Sequence, residues 1–122
     1  MNIIYENKIS NVGAYVDKFI AEKIILLFSE ESVMTQIKEY SYTIKNKKVN
    51  GIIKEGQILK IDNECYKITA VGDIVQKNLE DIAHVTLKFD GSKVANFPGT
   101  LYLEDKKITK IHEGTIIQII EL

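Results

Sequence analysis

Nucleophilic or metal chemistry in this chain has few side chains to run through: two histidines, His84 and His112, and one cysteine, Cys65. His84 opens a run, residues 84–90, in which polar and apolar residues alternate. Alternation is the period of a strand, so Val85, Leu87 and Phe89 are expected to face a core while His84, Thr86, Lys88 and Asp90 share the other face. An imidazole then stands beside a hydroxyl and an ammonium, groups that hydrogen-bond and neutralise a phosphoryl oxyanion. That combination suits a phosphohistidine, with His84 as the catalytic nucleophile and Thr86 and Lys88 as phosphoryl-supporting donors. A second reading stands beside it. His84 follows the end of a predicted helix, where an imidazole can cap carbonyls and complement the helix dipole, and that same dipole opposes a phosphoryl dianion. The residues alone lean towards the capping role.

The other candidates offer less. His112 lies in the polar segment 108–114 with only Glu113 beside it, and reads as a loop residue. Cys65 sits in a strand pattern with no histidine near it in sequence, so a buried, inert thiol is expected. A zinc site wants four Cys or His ligands at paired spacings such as C-x-x-C, and none occurs, so neither a metal nor another cofactor is expected. G-x-S-x-G, P-loop and G-x-G-x-x-G patterns are absent. Lys45, Lys47 and Lys48 read as a solvated hairpin tip that a partner with an acidic face could use.

Many short strands must position these side chains. Ile and Val are abundant and turn signals recur at short intervals, the composition of an all-β domain. Strands are expected at 3–9, 23–28, 40–44, 57–61, 65–71, 84–89, 100–103 and 115–121. The segment 40–44 is expected to be half-buried, and residues 57–71 to form a hairpin around Asp62, Asn63 and Glu64. Val12, Val16, Phe19 and Ile20 recur at helical spacings. So do Val75, Leu79 and Ile82, behind Asp73 as a candidate N-cap. Asp90-Gly91 and Phe97-Pro98-Gly99 are turn signals. A single closed or nearly closed β-barrel with one or two short helices fits best, because closure removes the edges that so many strands would expose.

Bulk properties exclude several classes. With 122 residues, fewer than the roughly 150 of a typical domain, one domain over 1–122 is the expectation. Net charge is −1, and all 16 basic residues are lysine; with no arginine and no basic excess, nucleic acid is not an expected partner. No apolar run approaches a membrane span and no secretory signal pattern opens the chain, so a cytoplasmic protein is expected, in keeping with a lone cysteine.

Several spaced motifs carry a resemblance: Ile68-Thr-Ala-Val-Gly72, Asn78-Leu79, His84-Val-Thr-Leu-Lys-Phe-Asp-Gly91 and Phe97-Pro-Gly-Thr100. Together they resemble the glucitol/sorbitol-specific enzyme IIA family of the bacterial sugar phosphotransferase system, most densely over residues 66–101. The resemblance implies an all-β barrel and a cytoplasmic phosphoryl carrier that takes its group from the phosphocarrier HPr on a histidine. The group then passes to a cysteine of a IIB component as the IIC permease imports the sugar, so the membrane is reached only through the permease. A homodimer is compatible with such a fold. The family's usual phosphorylated histidine corresponds in register to Ile44, and a second histidine nearby to Asn46. Two readings follow. Either His84 takes the phosphoryl group, or the protein is a non-catalytic regulatory or binding paralogue that keeps the fold. A barrel that binds a small molecule outside the phosphotransferase system is a third class.

Overall fold

The computed structural model describes residues 1–122. Nine strands, β1 (Asn2–Lys8), β2 (Asn11–Val12), β3 (Ile24–Ser29), β4 (Tyr42–Ile44), β5 (Ile58–Ile61), β6 (Glu64–Val71), β7 (Val85–Lys88), β8 (Thr100–Leu103) and β9 (Ile116–Glu121), are interleaved with helices α1 (Val16–Ile20), α2 (Thr35–Lys38) and α3 (Val75–Ile82). The strands form one sheet in the order β1-β9-β5-β6-β8-β7-β3-β4-β2. The β3–β4 and β7–β8 pairs are parallel and the rest antiparallel.

β1 and β2 stand at opposite ends of that order, yet only Ile9 and Ser10 separate them. The Ile9 amide donates to the Thr115 carbonyl and the Ser10 amide to the Thr43 carbonyl, so consecutive residues bond to opposite ends of the sheet. With Cα atoms about 3.8 Å apart along a chain, this is possible only if the sheet curls until its ends meet along residues 2–12. The expected barrel forms, nearly closed by its own N-terminal strand. Inside it lies a cluster of 25 buried residues that includes Ile25, Leu27, Ile44, Ile68, Val85, Leu87 and Phe89.

The quoted motifs make one scaffold. β6 pairs with β8, β8 pairs with β7, and α3 connects β6 to β7. Gly72 lies so close to the Pro98 carbonyl that any Cβ there would collide with it, while its amide donates to the Thr100 carbonyl. The two glycine-bearing motifs therefore fit only each other.

Several expectations need correction. The segment expected as a half-buried strand from Tyr40 is a shorter strand, β4, with all three residues buried. Its middle residue Thr43 is covered as well, because it packs under Ser10, whose hydroxyl donates to the Thr43 carbonyl. α3 begins after Ile74 with no side-chain cap, so Asp73 does not cap it, and α2 is a helical turn that periodicity did not reveal. Glu64 joins β6 opposite Ile61, which leaves Asp62 and Asn63 as the turn, with Asp62 at φ 50°. Lys45, Lys47 and Lys48 are exposed but lie in a connection between β4 and β5, not at a hairpin tip. Cys65 is exposed, not buried: β6 turns Tyr66, Ile68 and Ala70 inward, and the pleat puts Cys65 and Lys67 outside.

Candidate functional site

His84 is the residue that links α3 to β7. Ala83 takes a left-handed conformation, φ 49° and ψ 50°, and the backbone amide of His84 turns back onto the Asn78 carbonyl. The helix is thus closed by backbone groups. The imidazole caps nothing: it makes no hydrogen bond to any protein group, which removes the capping reading.

Because Leu27 opposes Val85, the residue before Val85 meets Phe28. The His84 and Phe28 rings stack edge to face, with centroids 5.0 Å apart and planes at 74°. The contact stabilises by about 0.5–1.5 kcal/mol and dries one side of the imidazole. Burial accordingly holds the His84 pKa below its usual 6.5, so the ring is neutral at pH 7 and keeps a nitrogen lone pair. A neutral, unpartnered imidazole is the form that can attack phosphorus.

The ring opens on a pocket of about 550 Å³ on the outer face of the sheet. Phe28, Met34, Ile37 and Ile82 supply its apolar wall, and Ser29, Ser32 and Asn46 its hydrogen-bonding groups. Asn46 ties three elements together. Its Nδ2 donates to the Asp81 carbonyl at the end of α3 (3.2 Å), and its Oδ1 accepts from the Ser29 hydroxyl (3.3 Å), whose oxygen in turn accepts from the Glu31 amide (3.1 Å). One of the terminal carbonyls of α3, which would oppose an anion at His84, is thereby covered. Ser32 accepts the Met34 amide at 3.2 Å and keeps its own proton free to donate. Glu31 and Asp81 also line the pocket, and Asp81 is paired with Lys77 at 3.1 Å.

The residues expected to surround His84 are only partly gathered there. Thr86 and Lys88 lie on the same outer face but do not line the pocket. Lys88 is about 13 Å further along the strand, and its ammonium donates to the Glu22 carbonyl at 3.0 Å. His112 is in an exposed loop, its Nδ1 3.0 Å from the Glu113 carbonyl. Sequence reasoning missed Ser29, Ser32 and Asn46 as neighbours of His84. For Asn46 a signal existed, since the resemblance set it in register with a second histidine.

Comparison with known proteins agrees with this architecture. Residues 4–118 match the family described as the glucitol/sorbitol-specific IIA component of the phosphotransferase system. This chain belongs to that family. The glucitol/sorbitol-specific EIIA components of Shigella flexneri and Escherichia coli K12 are each 28% identical over 118 residues, covering 97% of this chain and 95% of theirs. The crystal structure of a phosphotransferase IIA component from Enterococcus faecalis superposes with a TM-score of 0.79 at 30% identity, covering 93% of this chain and 97% of that one. This chain is therefore an enzyme IIA component of a sugar phosphotransferase system and works with phosphotransfer partners; the non-catalytic reading is not favoured.

The two positions that the resemblance sets in register with family histidines have different surroundings in this IIA component. Ile44 is fully buried in the barrel core, whereas Asn46 is exposed and lines the pocket of His84. Only position 46 shares a solvent-facing site with His84.

Proposed function

We propose that His84 is the phosphoacceptor of this enzyme IIA. Its neutral, unpartnered imidazole in the pocket beside Asn46 is the observation that carries the reading. A ring nitrogen attacks the phosphorus of phosphorylated HPr, forming a new N–P bond as the N–P bond in HPr breaks. A IIB cysteine thiolate then takes the group, forming S–P and releasing neutral His84, and the associated IIC permease phosphorylates the sugar during import. Ser32 and the anchored Ser29–Asn46 pair supply polar contacts to the transferring oxygens, in a pocket whose apolar wall excludes part of the water. Thr86 and Lys88 extend the polar face away from the acceptor and support the partner's approach. This cycle takes place in the cytoplasm; no helix is long and apolar enough to cross a membrane.

Incubation with phosphoenolpyruvate, enzyme I and HPr tests the assignment by intact mass at neutral or basic pH, because phosphohistidine is acid-labile. One phosphoryl group on His84, and none on His84→Ala, is expected. Full labelling of the folded His84→Ala protein would refute it.

A further inference from the structure

A second and larger cavity, about 930 Å³, opens at the mouth of the barrel, away from His84. One wall is Val12, Val16 and Ile20 from β2 and α1; the other is segment 106–111, with Ile108 and Ile111 lining the cavity. Tyr42 is at the floor. Barrel mouths are recurrent ligand sites, provided the walls are preformed.

The far wall is held in place. The Tyr66 hydroxyl donates to the Lys107 carbonyl and accepts from the Thr109 amide, both at 2.9 Å. The Lys106 ammonium donates to the Cys65 carbonyl at 2.6 Å and lies 5.2 Å from the Tyr66 ring centre. The side chains of Tyr42, Asp17, Glu64, Lys107 and Lys110 that line the cavity, in contrast, are unengaged. The Tyr42 side chain is buried except at its hydroxyl, which reaches the open cavity and bonds no protein group. Burial and the Asp17 carboxylate push its pKa up to about 12, so it remains a donor at neutral pH. Lys107, Lys110, Asp17 and Glu64 line the cavity too, and the two ion pairs of the chain, Lys23–Asp105 and Lys77–Asp81, are elsewhere.

We propose that this cavity binds a small organic monoanion. Its apolar body lies between Val16 and Ile108, an acceptor atom meets the Tyr42 hydroxyl, and its charge is held by Lys107 and Lys110. Lys106, Lys107 and Lys110 exceed Asp17 and Glu64 by a single positive charge, which favours one negative charge over a phosphate dianion. The site is separate from the phosphoacceptor and does not depend on the role of His84.

Anilinonaphthalene sulfonate, an aromatic monoanion, is the probe. It is expected to bind the whole protein saturably at one site, with fluorescence enhancement and amide NMR shifts at 12–20 and 106–111. Tyr42→Phe should weaken binding about threefold and the Lys107→Ala/Lys110→Ala pair about tenfold, while His84→Ala leaves it unchanged. Inorganic phosphate should not compete. The proposal is overturned if binding is unsaturable or absent, if both variants bind as the parent does, if phosphate displaces the probe, or if the shifts map to Ser29 and His84.

Discussion

Ile44 and His84 flank the same strand, β3, one step apart in register: Ser29 pairs with Ile44, and the position before the Leu27–Val85 pair sets Phe28 against His84. The pleat sends them to opposite sides of the sheet. Ile44 goes into the barrel core and His84 to the outer pocket. A nucleophile must meet a partner protein, and the buried Ile44 offers one no surface. What the comparison teaches is that position 44 belongs to the core, whereas position 46 and His84 lie together on the outer face.

The sharpest way to break the comparison is to truncate each side. Ile44→Ala should cost about 2–5 kcal/mol in denaturant unfolding and leave phosphorylation per folded molecule intact. His84→Ala should abolish phosphorylation and change stability by less than about 1 kcal/mol, since the ring is unbonded and half-exposed. Ile44→Ala losing label while remaining folded would show that the inner wall takes part.

Acidity probes the outer side alone. The folded pKa of His84 is depressed, so the unfolded chain binds the extra proton first as pH falls. The stability tied to neutral His84 is complete above pH 6.5 and declines as pH drops through the lower folded value; the rate of phosphorylation should fall in the same direction, as lone pairs are lost. Comparing the parent with His84→Ala in thermal unfolding between pH 7 and 4 isolates this slope. An imidazole titration above 6.5 by NMR would contradict it.

Smaller effects resolve the pocket. Asn46→Ala, which frees the Asp81 carbonyl and Ser29, should cost about 1 kcal/mol and slow phosphorylation, read by stopped mass-spectrometric time courses. Lys88→Ala should change the same rate by less than about twofold, because its ammonium is committed to Glu22. A tenfold loss would place Lys88 at the phosphoryl group after all.

How much of this could be read in advance depends on the kind of signal. The inward set Val85, Leu87 and Phe89, the α3 periodicity and the turn at Asp90-Gly91 are local, and all stand in the structure. Cys65 was misjudged because a strand pattern gives two faces without saying which is inside until register is known; Tyr66 and Ile68 decide it. Thr86 and Lys88 share a face with His84, but sharing a face over four residues is not sharing a pocket.

The sequence by itself determined the class of the fold, the family, and the short inventory of nucleophiles, because alternation, turn chemistry and composition are properties of the chain as written. That His84, and neither Cys65 nor His112, lines the pocket beside Asn46 was decided only by tertiary structure. Closure of the sheet along residues 2–12, the β3 register and the Asn46 bridge to α3 bring together residues as distant in the chain as Ile9 and Thr115, and contacts at such separations leave no period in the chain.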